Sequence, residues 1–151
     1  MKRIICIGNA FQDCDTAGAR VLVCLAGNRL PEDVEVIDGG LRGIDLLRQV
    51  EGSERVAFVD AVSGFVAPGE VVEIEGEALG KVAFEAYGHG GAFSYLLGAL
   101  PHLMRTPIPV CLVGLETPIS EGTVEEAARR ALAFATGAPD TRPGQPGGVR
   151  W

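Results

Sequence analysis

Short apolar runs recur along the chain, and their internal spacing separates predicted strands from predicted helices. Four runs are mainly apolar and predict strands, and the first has the unbroken pattern of a central strand buried on both faces of a parallel sheet. They are Ile4–Gly8, Val34–Ile37, Val56–Val62 and Val110–Leu115. The segment Glu70–Glu75 partly alternates glutamate with apolar residues, which predicts an edge strand with one wet face. Only a short loop around Pro68-Gly69 separates it from the third run, and so short a connection favours an antiparallel neighbour.

Other segments carry apolar residues at three- and four-residue steps, which predicts amphipathic helices. They are Thr16–Asn28, Ile44–Val50, Phe93–Leu100 and Val124–Thr136. We expect Pro101 to limit the third helix and Gly137 to end the last. Thr123 and Glu126 fit a capping box at the start of the last helix. That helix presents one apolar face toward the sheet, made of Val124, Ala127, Ala128, Ala131 and Ala135.

The element order β-α-β-α-β-β-α-β-α predicts an α/β protein. We expect a three-layer α/β/α sandwich around a mainly parallel five-stranded sheet with one antiparallel strand. A length of 151 residues suits one domain, which we place at residues 1–137. Residues 138–151 hold three prolines and three glycines, which predicts a flexible tail.

Composition narrows the class of partner. Apolar residues make up 47% of the chain, which excludes a disordered protein. The net charge of -7 argues against nucleic acid or an anionic membrane as partner. Met1-Lys2-Arg3 leads straight into the first strand without a signal peptide, and no apolar run is long enough to span a bilayer. We therefore expect a cytoplasmic protein.

Candidate chemistry gathers where apolar runs end. Asp38 closes the apolar residues of Val34–Ile37, and Asp60 closes Val56–Val59 within the third run. Asp15 lies in the loop after the first strand, and His89 lies between glycines. Ligands of open parallel sheets bind at the carboxyl ends of the strands. Two carboxylates and one imidazole, from Asp15, Asp60 and His89, would leave coordination positions open on a metal, as catalytic sites do. Such ligands accept nickel, zinc or other divalent ions.

Each of these residues also has a simpler interpretation. Asp15 could be the N-cap of the first helix, and Asp38 and Asp60 could bind their own backbone in turns. His89 could be a surface residue of a loop. A nucleophilic pair of Cys14 and His89 is disfavoured, because the carboxylate next to Cys14 opposes a thiolate. No glycine-rich dinucleotide or phosphate loop follows the first strand, and no Gly-x-Ser-x-Gly elbow occurs.

Taken in order and spacing, these residues resemble the endopeptidases that mature NiFe hydrogenases. The resemblance covers residues 3 to 136. The matching positions are Ile7-Gly8-Asn9, Asp15, Gly18, Arg20, Ile37-Asp38-Gly39-Gly40, Val59-Asp60-Ala61, Pro68-Gly69, His89, Leu96, Leu97 and Gly114.

The resemblance implies a function as well as a fold of the phosphorylase/hydrolase-like α/β/α type. Family members are metal-dependent endopeptidases that remove a C-terminal extension from the nickel-loaded precursor of the hydrogenase large subunit. Their metal-contacting catalytic residues correspond here to Asp15, Asp60 and His89. The substrate-recognition loop corresponds to Asp38, Gly39 and Gly40. Nickel would be carried by the precursor, and zinc or cadmium could also occupy the site.

Two other functions stay open from the sequence. A nickel-dependent checkpoint protein would recognise the loaded precursor without cutting it, and the lack of an obvious protein nucleophile favours that view. A peptidyl-tRNA hydrolase also begins with a strand followed by Gly-Asn. That enzyme needs a histidine soon afterwards, and none occurs here before His89.

Overall fold

A computed structural model describes residues 1–8, 16–40, 43–76, 78–81 and 92–138. The strands are β1 (Lys2–Ile7), β2 (Val34–Gly40), β3 (Val56–Val62), β4 (Val71–Glu75) and β5 (Val110–Glu116). The helices are α1 (Ala17–Ala26), α2 (Leu47–Glu51, preceded by a 3₁₀ turn at Ile44–Leu46), α3 (Ala92–Leu103) and α4 (Glu121–Thr136). Among these residues, no helix is long and apolar enough to cross a membrane.

The five strands form one sheet in the order β2-β1-β3-β5-β4. Four strands run parallel, and β4 runs antiparallel at one edge, as predicted. The partner of β4 is β5, however, and not the strand that precedes it along the chain. The reason is that β5 pairs with β3 over its whole length, from Val56↔Val110 to Val62↔Glu116. With that position filled, β4 can add only beyond β5.

Helices cover both faces of the sheet, which confirms the three-layer sandwich. Residues of α1 and α4 pack with Ile4, Val59 and Val113 in one core, whereas residues of α2 and α3 pack with Phe58 and Leu112 in the other. The predicted apolar face of the last helix is confirmed, because all five of its members are buried. Each candidate site residue on a strand must therefore lie on one of the two separate faces of the sheet.

The start of α4 differs from the prediction. The N-cap is Ser120, whose Oγ accepts the N–H of Thr123 at 3.2 Å, while Thr123 Oγ1 accepts the N–H of Ser120 at 3.2 Å. The predicted box of Thr123 and Glu126 is therefore wrong by three residues, because threonine replaces the usual acidic partner at the third position. Gly137 ends the helix with a φ of 75°, as predicted.

The end of α3 also differs from the prediction. Pro101 lies inside the helix, which continues to Leu103. Proline removes one N–H donor, but the N–H of Met104 still bonds to the oxygen of Leu100 at 3.1 Å. The last turn therefore persists beyond the proline.

A buried arginine lies against the outer edge strand. Arg130 of α4 donates through Nη1 to the backbone oxygen of Val71 at 2.8 Å. Its Nη2 lies 3.4 Å from Glu73 Oε2. The helix α4 is thus joined to β4 by polar contacts as well as by the core.

Gly18 allows α1 to pack directly against the end of β1. A Cβ added at Gly18 would lie 2.0 Å from the backbone oxygen of Ile7, and backbone cannot move aside as a side chain can. A glycine is therefore required at position 18, because the backbone of β1 lies so close. The helix α1 is also joined to the start of α4, because Arg20 Nη2 lies 2.7 Å from Glu121 Oε1.

We predict that Gly18→Ala lowers the free energy of unfolding by roughly 3 kcal/mol, because α1 must move away from β1. Urea denaturation measures the change. The matched control is Gly98→Ala on the exposed side of α3, where an added Cβ meets nothing within 4 Å. That change should add about 0.5–1 kcal/mol through helix propensity. Equal stability of Gly18→Ala and the unchanged protein would contradict the close approach.

Candidate functional site

Asp60 lies within β3, two residues before the strand ends. Its carboxyl group is buried, with 7% of the residue exposed, and Oδ1 accepts the N–H of Ala61 at 2.8 Å. Because side chains alternate along a strand, Asp60 faces the same side as Phe58 and Val62, which belong to the α2/α3 core. Asp60 does bind the adjacent backbone, as its simpler interpretation predicts, but it lies within the strand and does not start a turn.

The strand beside Asp60 carries no side chain at the paired position. Asp60 pairs with Gly114 of β5. A Cβ at Gly114 would lie 2.8 Å from Val62 Cγ1 and 3.0 Å from Val72 Cγ1. Packing therefore requires a glycine there, because the side chains of Val62 and Val72 already fill the space beside it.

The first turn of α3 lies over the strand that carries Asp60. The Phe93 ring packs edge-on against Phe58, with ring centroids 5.1 Å apart. Phe58 precedes Asp60 by two residues on the same face. The contact brings the start of α3 onto the face of β3 that carries Asp60. Because α3 begins three residues after His89 in the sequence, the predicted pairing of His89 with Asp60 requires such an arrangement.

Asp38, Gly39 and Gly40 form the end of β2 and not a separate loop, which corrects the sequence prediction. The strand pairing shifts here, because Cys6 pairs with Asp38 but Ile7 pairs with Gly40. A Cβ at Gly39 would lie 2.7 Å from Ile7 Cδ1, and Gly40 has a φ of +53°, so both positions favour glycine.

The exposed Asp38 carboxylate binds its own backbone. Its Oδ1 accepts the N–H of Gly40 at 3.0 Å. The simpler interpretation of Asp38 as a turn-type residue is thereby confirmed, although the residue is still part of the strand.

Asp38 and Asp60 both lie at the carboxyl end of the parallel strands, but their side chains lie on opposite faces of the sheet. Cys6 of β1 pairs with Asp38 on one side and with Val59 on the other, so Asp38 and Asp60 differ by one residue in level. Asp38 follows Val36 on the α1/α4 face, whereas Asp60 lies on the α2/α3 face. The structure therefore separates the predicted recognition segment from the predicted catalytic acid.

Asp15 and His89 fall outside the described residues, so their placement with Asp60 stays a prediction. Within the described ranges, no group of three or more histidine, cysteine or acidic side chains could hold a metal ion. The N-cap of α1 is Thr16, whose side chain makes no capping hydrogen bond. The backbone of Thr16 is already helical, and the interpretation of Asp15 as the N-cap stays a prediction.

Comparison with known proteins decides the family. The sequence model of hydrogenase maturation proteases matches residues 20–137, which is most of the chain. The chain belongs to the hydrogenase maturation protease family. Membership supports peptidase activity for this chain.

Relatives of this family member agree in sequence and in fold. The hydrogenase 2 maturation protease of Escherichia coli strain K12 is 28% identical over 143 residues, spanning 86% of this chain and 87% of that protein. The structure of the hydrogenase maturating endopeptidase HybD from E. coli superposes with a TM-score of 0.73 at 23% identity, covering 88% and 91% of the two chains. The NiFe hydrogenase maturation protease HybD from Thermococcus kodakarensis gives a TM-score of 0.60 at 21% identity, covering 91% and 98%. These structures show the shared fold.

An apolar cavity of about 450 Å³ lies at the amino end of β5, away from the candidate site residues. Its walls come from α3, from the start of β5 and from Phe134 of α4. None of Asp38, Gly39, Gly40 and Asp60 lines it. The candidate site therefore lies at the carboxyl end of the parallel strands and not in this cavity.

Glu116 was missed in the sequence, although it follows the rule that selected Asp38 and Asp60. It directly follows the apolar run Val110–Leu115 at the carboxyl end of β5. The residue is only 4% exposed, and its carboxylate accepts hydrogen bonds from the segment after β3. Applying the strand-end rule to every acid would have found it.

The two buried cysteines are unsuited to nucleophilic chemistry. Burial raises the pKa of the Cys6 thiol to about 12, and the negative charge of Asp38 adds to the effect. Burial raises the pKa of Cys111 well above its ordinary range, with a smaller effect from Glu73 and Glu75. Both thiols therefore stay protonated at neutral pH.

We predict that iodoacetamide at pH 8 leaves Cys6 and Cys111 unmodified while it alkylates the half-buried Cys24 of α1, because only a thiolate reacts. Peptide mass spectrometry reads each position separately. Protein unfolded in urea is the control, and it should be alkylated at all three. Modification of Cys6 in the folded protein as fast as Cys24 would contradict the assignment of a buried, protonated thiol.

Proposed function

We propose that this chain is a metal-dependent endopeptidase that removes a C-terminal extension from the nickel-loaded precursor of a NiFe hydrogenase large subunit. The observation that carries the proposal is the buried Asp60 carboxylate at the carboxyl end of β3, in a chain of the hydrogenase maturation protease family. A buried acid at the carboxyl end of a parallel strand is suited to bind a cation or to move a proton, which a surface acid does less well.

We infer that Asp15, Asp60 and His89 act together on nickel, which is part of the substrate. Support comes from the two helices that follow the undescribed residues. The described structure resumes at Thr16, directly after Asp15, and at Ala92, three residues after His89. The start of α1 packs against the end of β1 through Gly18, and the start of α3 packs on Phe58 beside Asp60. Two carboxylates and an imidazole are donors that nickel accepts.

The work of the chain in this proposal is to set the register of the precursor on the scissile bond. Nickel supplies Lewis-acid chemistry when the precursor carries it in, and zinc or cadmium could take the same ligands. The carboxylates of Asp15 and Asp60 are the candidates for a general base that takes a proton from the attacking water. Water is the favoured nucleophile over Cys6 and Cys111, since both thiols are buried and protonated.

Asp38, Gly39 and Gly40 are proposed to recognise the precursor. The Asp38 carboxylate is exposed at the same edge of the sheet as Asp60 but on the opposite face. Gly40 adds no side chain at this end of β2, next to the exposed Asp38 carboxylate. Recognition and cleavage would then use different faces of one edge.

We predict that the purified protein shortens its nickel-loaded precursor, encoded in the same genome, by one C-terminal peptide. Mass spectrometry of the precursor before and after incubation measures this. Precursor prepared without nickel is the control and should keep its mass. An unchanged mass together with formation of a stable complex would instead establish the checkpoint protein, which the burial of the strand cysteines Cys6 and Cys111 favours.

We predict that Asp60→Asn and His89→Ala each lower the cleavage rate by about a thousandfold, because each removes a group that binds the ion or moves a proton. Asparagine keeps the oxygen that accepts the N–H of Ala61, so circular dichroism should show an intact fold. The control is Asp45→Asn at an exposed carboxylate of the 3₁₀ turn before α2, which should cleave at the unchanged rate. Normal processing by either site variant would refute the assignment.

A further inference from the structure

The buried carboxylate of Glu116 holds the segment that follows the catalytic strand. Its Oε2 accepts the N–H of Gly64 at 3.1 Å. Its Oε1 accepts the N–H of Phe65 at 2.7 Å and that of Val66 at 3.1 Å. One side chain thus binds three successive backbone donors, in an arrangement where a charged acceptor makes each bond stronger.

The same segment is fastened again at its far end. The N–H of Gly69 donates to the backbone oxygen of Glu116 at 2.9 Å, and the N–H of Glu116 donates to the oxygen of Glu70 at 2.9 Å. The hydroxyl of Thr123, in the first turn of α4, donates to the oxygen of Gly69 at 2.7 Å. Residues 63–70, which we name the β3–β4 loop, are therefore fixed from both sides by β5 and α4.

The β3–β4 loop lies at the edge of the sheet where Asp60 is found. It begins three residues after Asp60. Phe65 and Val66 are half-buried and pack against the core of the α2/α3 face, which is the face of Asp60, while Ala67 and Pro68 are exposed. The loop thus presents a mainly apolar surface beside the candidate catalytic acid.

Stability alone is a poor reason for this arrangement. Burying a carboxylate costs free energy that its hydrogen bonds only offset, and apolar replacements of buried charges are often as stable. What the carboxylate adds is a single defined conformation for three residues of an otherwise irregular segment. A fixed loop binds a partner more tightly than a mobile one, since less entropy is lost on docking.

We propose that Glu116 is a positioning residue that holds the β3–β4 loop in shape as a docking surface for the hydrogenase precursor. The inference rests on the proposed function and names a second recognition element beside Asp38-Gly39-Gly40. The backbone of Asp60 itself is held by the pairing of β3 with β5 at Gly114, outside the loop. Loss of the Glu116 carboxylate should therefore weaken precursor binding and leave the chemical step unchanged.

The test is Glu116→Gln, which keeps the size of the side chain but turns one of its two acceptor oxygens into a donor that faces a backbone N–H. Amide hydrogen exchange at Gly64, Phe65 and Val66 should become faster. The Kd and KM for the nickel-loaded precursor should each rise about tenfold, because the loop must now be ordered on binding. The value of kcat should stay within about twofold.

Two further variants separate docking from general loss of stability. Ser53→Ala removes a buried hydroxyl that accepts from Arg3 Nη1 at 2.9 Å, next to the start of β3 at the far end of the sheet, and should leave KM unchanged. Thr123→Val releases the other anchor of the loop at Gly69, and it should raise KM in the same direction as Glu116→Gln.

Faster exchange in the loop with an unchanged Kd and KM would overturn the inference. A fall in kcat with KM unchanged would overturn it as well, since Glu116 would then act on the chemical step. Failure of the proposed function is distinguishable, because the unchanged enzyme would leave the precursor at full mass. The Kd of each variant would still decide whether the β3–β4 loop contacts the precursor.

Discussion

The pairing of β3 between β1 and β5 is the constraint on which the candidate site depends. β3 is bonded on both sides, and four of its apolar residues are completely buried. A shift by one residue would exchange its two faces and place Asp60 in the α1/α4 core. Burial of Phe58 on one face and of Val59 on the other therefore fixes where the carboxylate is found. The position of the acid is set by hydrophobic packing and not by polar contacts of its own.

Much of this fold could be predicted from hydrophobic patterning. Mainly apolar runs predicted β3 with its correct bounds and β5 to within one residue, and the glutamate-rich run was correctly assigned to an antiparallel edge. The neighbour of that edge could not be predicted, because strand order depends on long-range pairing that a local pattern does not encode. The capping of α4 was missed since two hydroxyl side chains, Ser120 and Thr123, take the place of the more familiar acidic pair.

The site was predictable in part, and for a physical reason. An acid that follows apolar residues near the carboxyl end of a parallel strand must lie at that end of the sheet, so Asp38 and Asp60 could be placed there from the sequence alone. Which face each acid uses depends on side-chain alternation, and the pairing shift between Cys6 and Ile7 adds an irregularity that no spacing rule supplies. For Glu116, the position at the end of a strand could be predicted from the sequence. Its three hydrogen bonds could not, because their backbone donors are distant along the chain.

The contact between Arg130 and β4 has a consequence for how the protein behaves at high concentration. In the antiparallel ladder with β5, the hydrogen bonds alternate, and Glu70 takes part in one through its oxygen, so the oxygen of Val71 points outward. Outward-pointing backbone groups of an edge strand invite another chain to extend the sheet. Here the guanidinium already occupies the oxygen of Val71, and two glutamates follow along the strand. These features disfavour the addition of another chain to β4 and hence aggregation through this strand, although β4 is rich in valine and isoleucine.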